Sequence, residues 1–298
     1  MSYVKRYGYR AYTGDFRGRL YRIWSIVLFH GRRSITRSTL TKLITGIYLF
    51  FLITFHMSFV WVAQAADDFE ESYLIAVRYL VENVFLTLIL IIYVGLIGSP
   101  LFADDLLYES IDTYRSRISA VEYFIGKFLA LFLLTSVLIL VPVIVDYFFL
   151  GFVLGGDVVD RLLLNSDHVE LLAQASFIAI MTCLYLNSII LALSSATKQR
   201  GHASAAFVIG TLAMTALVTL ATALSEEPRV LFFSPLLLIF FIASYTFDPN
   251  WGKDQTAFQF DGSNLLANVT ALEVYAFAGM IILLCWLIVL YFLWYRRE

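Results

Sequence analysis

Six stretches of this sequence are long enough to cross a bilayer and almost free of charge. Residues 43–63, 84–102, 171–193, 203–224 and 274–294 contain no Asp, Glu, Lys or Arg, and 128–154 contains one, Asp146. A hydrocarbon layer of about 30 Å is crossed by about 20 apolar residues of helix. Inside it every backbone N–H and C=O must find a partner within the chain, which a helix provides. Hydrophobic residues make up 60% of the chain and charged ones 15%, against about 45–50% and about 25% in a soluble domain. A water-soluble globule is excluded, and the expected fold is an all-α polytopic membrane protein with six transmembrane helices.

Six spans put both termini on one side of the membrane. Ten of the 21 basic residues lie in 1–42, and Arg115, Arg117, Lys127, Lys198, Arg200, Arg296 and Arg297 fall on the same side. Only Arg78, Arg161, Arg229 and Lys253 fall on the other. The positive-inside rule makes the richer side cytoplasmic, which places both termini there and the chain in the cell membrane. Residues 1–42 lack the short apolar core and cleavage site of a secretory signal. They contain Leu20, Ile23, Trp24, Val27 and Leu28 at i, i+3, i+4, i+7 and i+8, with Arg19, Arg22, Arg32 and Arg33 on or beside the other faces. That pattern predicts an in-plane amphipathic helix in contact with membrane lipid. The spans 43–294 form one transmembrane domain. Within it 230–245 is a 16-residue apolar stretch with Pro235 near its start, short for a span and expected to be a re-entrant segment before the last one.

The chain carries no motif for catalysis or for holding a cofactor. No GxxxxGK[ST] loop, GxSxG elbow or HExxH is present. The four histidines, His30, His56, His168 and His202, and the two cysteines, Cys183 and Cys285, are scattered over separate segments. No metal or haem set and no disulfide framework follows, and a net charge of −2 implies no nucleic-acid partner. An ionisable group inside a span usually marks an ion or proton path, and Asp146 is the one such group. Thr211, Thr215 and Thr219 lie on an i, i+4, i+8 stripe beside Ala206, Gly210 and Ala213, a face suited to close helix packing or to lining a polar path. Together with Asp146 these threonines are the candidate translocation path. A self-contained secondary carrier or channel using Asp146 is one function this allows.

The segment 104–122 joins the second and third spans on the basic side. Leu107, Ile111, Tyr114 and Ile118 sit at helical spacing with Glu109, Asp112 and Arg115 off that stripe, which predicts a short amphipathic helix in the loop. Around it the order LFADD, TYRSR, IS, EYFIGK and LAL resembles the phrase that follows the second span in permease subunits of ABC transporters of the type-2 exporter kind. The proline that family places after Ser116-Arg117 is missing, Glu109 stands for a glycine, and Ala120 stands for a basic residue. The resemblance implies a permease half that pairs with a second half, as homo- or heterodimer, and with two copies of a separate ABC ATPase that supply ATP and Mg. It implies that the chain itself is not an enzyme. It also implies an ATPase-coupling loop at 104–122, carried by Leu107, Glu109, Ile111, Asp112, Tyr114, Arg115 and Arg117.

Overall fold

The charge-free stretches become helices that run past their charge-free limits. The computed structural model describes residues 18–37, 39–63, 84–108, 118–154, 166–225, 227–248, 259–260, 263–264 and 269–295. The helices are α1 (Arg19–Arg37), α2 (Thr39–Ala63), α3 (Val84–Leu107), α4 (Ala120–Leu154), α5 (Ser166–Ala196), α6 (Arg200–Ser225), α7 (Pro235–Phe247) and α8 (Ala271–Tyr295). A 3-10 turn, Pro228–Phe233, precedes α7, and a two-residue antiparallel pairing joins Gln259–Phe260 to Ser263–Asn264. Among the described residues five helices, α3, α4, α5, α6 and α8, are long and apolar enough to cross a membrane. The chain is a multi-pass membrane protein.

The loop expected at 104–122 is shorter than its sequence suggests. The turn 103–107 continues α3, and 120–127 forms the first turns of α4. Asp104, Asp105, Glu122 and Lys127 are all buried there. A hydropathy reading stops a span at its first charge, whereas these charges enter the helical bundle because each has a partner: Asp105 pairs with Lys127, and Asp104 and Glu122 pair with arginines of α1. The stretch 230–245 divides at Ser234, the N-cap of α7, whose hydroxyl accepts from the Leu237 N–H. Pro228 and Pro235 stand at the starts of their helices, where a missing N–H costs nothing. The 13 residues of α7 reach about 20 Å, less than a bilayer core. Leu238, Phe241, Ile242 and Tyr245 are buried against its neighbours.

α5 runs through the middle of the bundle and touches α3, α4, α6, α7 and α8. Two close approaches fix the packing. A Cβ on Gly98 would stand 2.7 Å from Ile190 Cγ2 and 3.1 Å from Leu131 Cδ2, so α3 meets α5 and α4 at its backbone. A Cβ on Gly126 would stand 2.7 Å from Cγ2 and 2.8 Å from Cβ of Ile26. The second neighbour is the stiff root of a β-branched side chain and cannot swing away. Gly126 is therefore the residue that lets α1 lie on α4.

We expect Gly126→Leu to dislodge α1 while leaving the remaining helices packed. Limited trypsin digestion of the detergent-solubilised chain should cut faster after Arg32 and Arg33 in this variant than in wild type, whereas Gly31→Leu, at a position with open space around its Cβ, should not. Unchanged cleavage at Gly126→Leu would refute the close-approach role.

Candidate functional site

Among the described residues the buried Asp, Glu, Lys and His side chains gather at the end where α1 lies. Asp105 follows Leu101 by one turn in α3, and Lys127 follows Tyr123 by one turn in α4, so each pair shares a helix face. The two faces meet. Lys127, with no exposed surface, donates from Nζ to the Asp105 carboxylate and to the Leu101 carbonyl, and the Tyr123 hydroxyl donates to the same carboxylate oxygen. The ammonium also lies 4.3 Å from the Tyr123 ring centroid and 4.7 Å from that of Phe102, over π-faces that attract a cation. An isolated buried charge is excluded by its desolvation cost, so this array is what allows a lysine here.

Pro100 explains the shape of the α3 segment that meets it. A proline inside a helix removes one backbone hydrogen bond and crowds the preceding turn. α5 contacts the backbone beside it: Ser194 Oγ donates to Ser99 O at 2.7 Å and accepts from the N–H groups of Phe102 and Ala103 at 3.1 Å each. Lys127 takes the Leu101 carbonyl. The backbone on either side of Pro100 thus has partners on α4 and α5.

Glu122 ties α1 to the same place. With Ser119 it forms a reciprocal cap at the start of α4: the Ser119 N–H donates to Glu122 Oε2 at 3.3 Å, and the Glu122 N–H donates to Ser119 Oγ at 3.2 Å. Its other oxygen, Oε1, faces Arg22 Nη2 at 3.3 Å and Arg19 Nε at 3.5 Å. Farther along α1, Arg33 Nη2 lies 3.9 Å from Asp104 Oδ2. His30 sits between these pairs with Ile26 and Val27, all buried. Burial holds the His30 imidazole far below its ordinary pKa, at about 3, and the Lys127 cation pushes the same way. It is neutral at pH 7.

Of the residues named for ATPase coupling, Leu107 is exposed on the last turn of α3. Glu109, Ile111, Asp112, Tyr114, Arg115 and Arg117 lie outside the described residues. Asp146 is on α4, and its side chain likewise lies outside them. The threonine stripe is divided. Each hydroxyl donates to the carbonyl one turn back: Thr211 to Phe207, Thr215 to Thr211, Thr219 to Thr215. Thr211 is buried and Thr219 exposed. Thr215 alone reaches another element, meeting Ser234 Oγ at 2.8 Å and so linking α6 to the cap of α7. Among the described residues no group of three His, Cys, Asp or Glu could hold a metal ion.

The array that the sequence reading missed is Asp105, Tyr123 and Lys127. The i, i+4 spacing of Tyr123 and Lys127 was its one visible signal, and by itself such spacing is ordinary.

Lys127→Met leaves the Asp105 carboxylate buried against an apolar chain, a change that costs about 3–5 kcal/mol for a broken buried pair. Adding Asp105→Asn removes the stranded charge while keeping an acceptor for Tyr123. The single variant should therefore melt well below wild type in detergent, and the double variant should recover most of the loss. A double variant no better than the single one would show that the pair is not the unit holding α3 to α4.

Compared with models of protein families and with curated proteins, the sequence matches none of them.

Proposed function

We propose that this chain is the membrane-spanning permease subunit of an ATP-driven ABC transporter, of the exporter kind. It has six spans, α2 through α6 and α8, with α1 in the plane of the membrane and α7 as a re-entrant piece. Both termini and the α1 end face the cytoplasm, because that orientation puts 17 of the 21 basic residues inside. Two such chains, or this chain and a second half, form the translocation unit, and two separate ATPase subunits dock on it.

The observation that carries this reading is the phrase around the loop at 101–131. Its described residues are not scattered: Asp105 from LFADD and Tyr123 and Lys127 from EYFIGK form one buried array, and Glu122 beside them holds α1. The phrase thus has a physical task, which is to lock the two helix ends that flank the loop. A force applied to the loop then reaches α1, α3 and α4 together. The exposed Leu107 at the loop's edge begins the apolar stripe that Ile111 and Tyr114 continue in sequence. Nucleotide can drive transport only by binding one arrangement of the halves better than the other.

Isolation of the full chain from its native membrane in mild detergent should bring down an ABC ATPase. Glu109→Lys with Asp112→Lys reverses the charges that set register at such a contact. Ile111→Ala removes an apolar contact of about 1–3 kcal/mol at a buried interface. These variants should insert and melt as wild type does, yet lose the ATPase or retain it without transport. Full copurification and full transport in all of them would reduce the loop to a membrane cover. For the orientation, a cysteine at position 116 should react with an impermeant maleimide only after cells are permeabilised, and one at position 69 before.

A further inference from the structure

The α1 end also carries a cleft of about 440 Å³ whose lining is poised for an anion. It lies between α1, the first turn of α2, the last turns of α3 and the first turn of α6. Thr39, Leu40 and Thr41 open α2 into it, and Arg200 and Gly201 open α6. The Ala203 N–H bonds back to Gln199 O, so the N–H of Gly201 precedes the helical ladder. Each helix start carries about half a positive charge, but the C-terminal turns of α1 and α3 line the same space with the opposite sign, so the side chains decide its charge.

The side chains supply the attraction for an anion. Arg33 and Arg200 line the cleft, as do the hydroxyls of Ser34 and Ser204. Among the described residues Arg200 makes no ion pair. His30 lines the same space while only 4% exposed. Its ring meets Phe29 edge-on, and its nitrogens have no hydrogen-bond partner among the described residues. They are not among the fully enclosed unpartnered atoms of the bundle, so they keep access to the cleft that the ring borders. On the α3 wall Asp105 is neutralised by Lys127, and Asp104 faces Arg33. Arg33 and Lys127 against the two carboxylates leave the charge of Arg200 as the positive balance of the cleft.

The surroundings are apolar and exposed. On α1 Leu20, Trp24 and Leu28 point outward, Leu20 at 83% exposure. On α2 Leu40 lines the cleft, and Leu43 and Ile47, exposed at i+3 and i+7 from it, continue the same strip along the helix. A charged socket that opens onto an apolar strip fits a molecule with an anionic head and a hydrocarbon tail.

We propose that the cleft binds the phosphate head of an anionic phospholipid. Arg33, Arg200 and the α6 N-terminus hold the phosphate oxygens, His30 supplies a further hydrogen bond, and an acyl chain lies along Leu40, Leu43 and Ile47. The site requires only that the chain sit in a membrane, and it stands whether or not the transporter reading does.

The full chain in detergent is titrated with phosphatidylglycerol or phosphatidylcholine and the retained lipid counted by native mass spectrometry. Wild type should retain phosphatidylglycerol about tenfold more tightly, and Arg200→Gln should lower that affinity about tenfold, the scale of one lost charge-assisted contact. Gly201→Asp is the sharper variant. Its Cβ meets no atom within 4 Å, an acid at a helix start complements the dipole, and yet it places a negative charge in the socket. It should melt no lower than wild type and lose phosphatidylglycerol preference, while Arg32→Gln, outside the cleft, should leave binding unchanged. Equal retention of the two lipids, or normal binding by both Arg200→Gln and Gly201→Asp, would overturn the site. Displacement of the lipid by glycerol 3-phosphate at equal concentration would overturn the lipid assignment, marking a site for soluble phosphates.

Discussion

A lysine ammonium with no exposed surface, two turns into a helix that continues through apolar surroundings, is the constraint around which this bundle is arranged. Removing such an ion from water costs several kcal/mol even after relaxation. Lys127 meets that cost with a carboxylate, a backbone carbonyl and two aromatic faces, and each of these comes with a positional demand. Asp105 must be one turn beyond Leu101, so α3 has to remain helical to Leu107. Tyr123 must be one turn before Lys127, so α4 has to begin by Ala120. Leu101 O accepts from Lys127 one residue beyond Pro100, and Ser194 on α5 bonds the backbone on both sides of it. Relief of one buried charge thus sets the ends and relative heights of three helices.

The same logic explains what was legible in the sequence. The cores of the spans were readable because the absence of charge over about twenty residues has few physical explanations. Their ends at Leu107 and Ala120 were not, since Asp104, Asp105, Glu122 and Lys127 look like loop charges until their partners are known. The brevity of the stretch before α8 was readable from length and Pro235. Its division at Ser234 was not, because that break depends on a hydroxyl that both caps α7 and meets Thr215. The threonine stripe shows the limit of periodicity: three residues on one face of α6 proved to have three environments, set by where the neighbouring helices stop.

α1 illustrates how one pattern can hide two faces. Its apolar residues read as a single lipid-facing stripe, yet Ile26 turns inward onto α4 and Val27 and His30 are buried, while Leu20, Trp24 and Leu28 turn outward. The arginines are divided too: Arg19, Arg22 and Arg33 reach acids on other helices. Exposed ion pairs contribute little. Glu122 is nearly enclosed, however, and also caps α4, so one carboxylate serves a helix start and an interhelical clasp. The glycine at 126 and the acid at 122 lie one turn apart, close approach and charge together holding α1 on the same strip of α4.

A loop between two helices transmits force only as well as its anchors resist separation. If α3 and α4 met at this end through apolar contacts alone, they could slide past each other by small steps, since such contacts are not directional. The Asp105 and Lys127 pair is directional: displacing one end by an ångström or two strands two desolvated charges at once. The intermediate positions are therefore costly, and the helix ends shift together or not at all. That is the behaviour expected of an element with discrete arrangements. On the transporter reading it would let a docked ATPase move α1, α3 and α4 as one unit, with Gly98 carrying the motion to α5 through a contact too close to slacken.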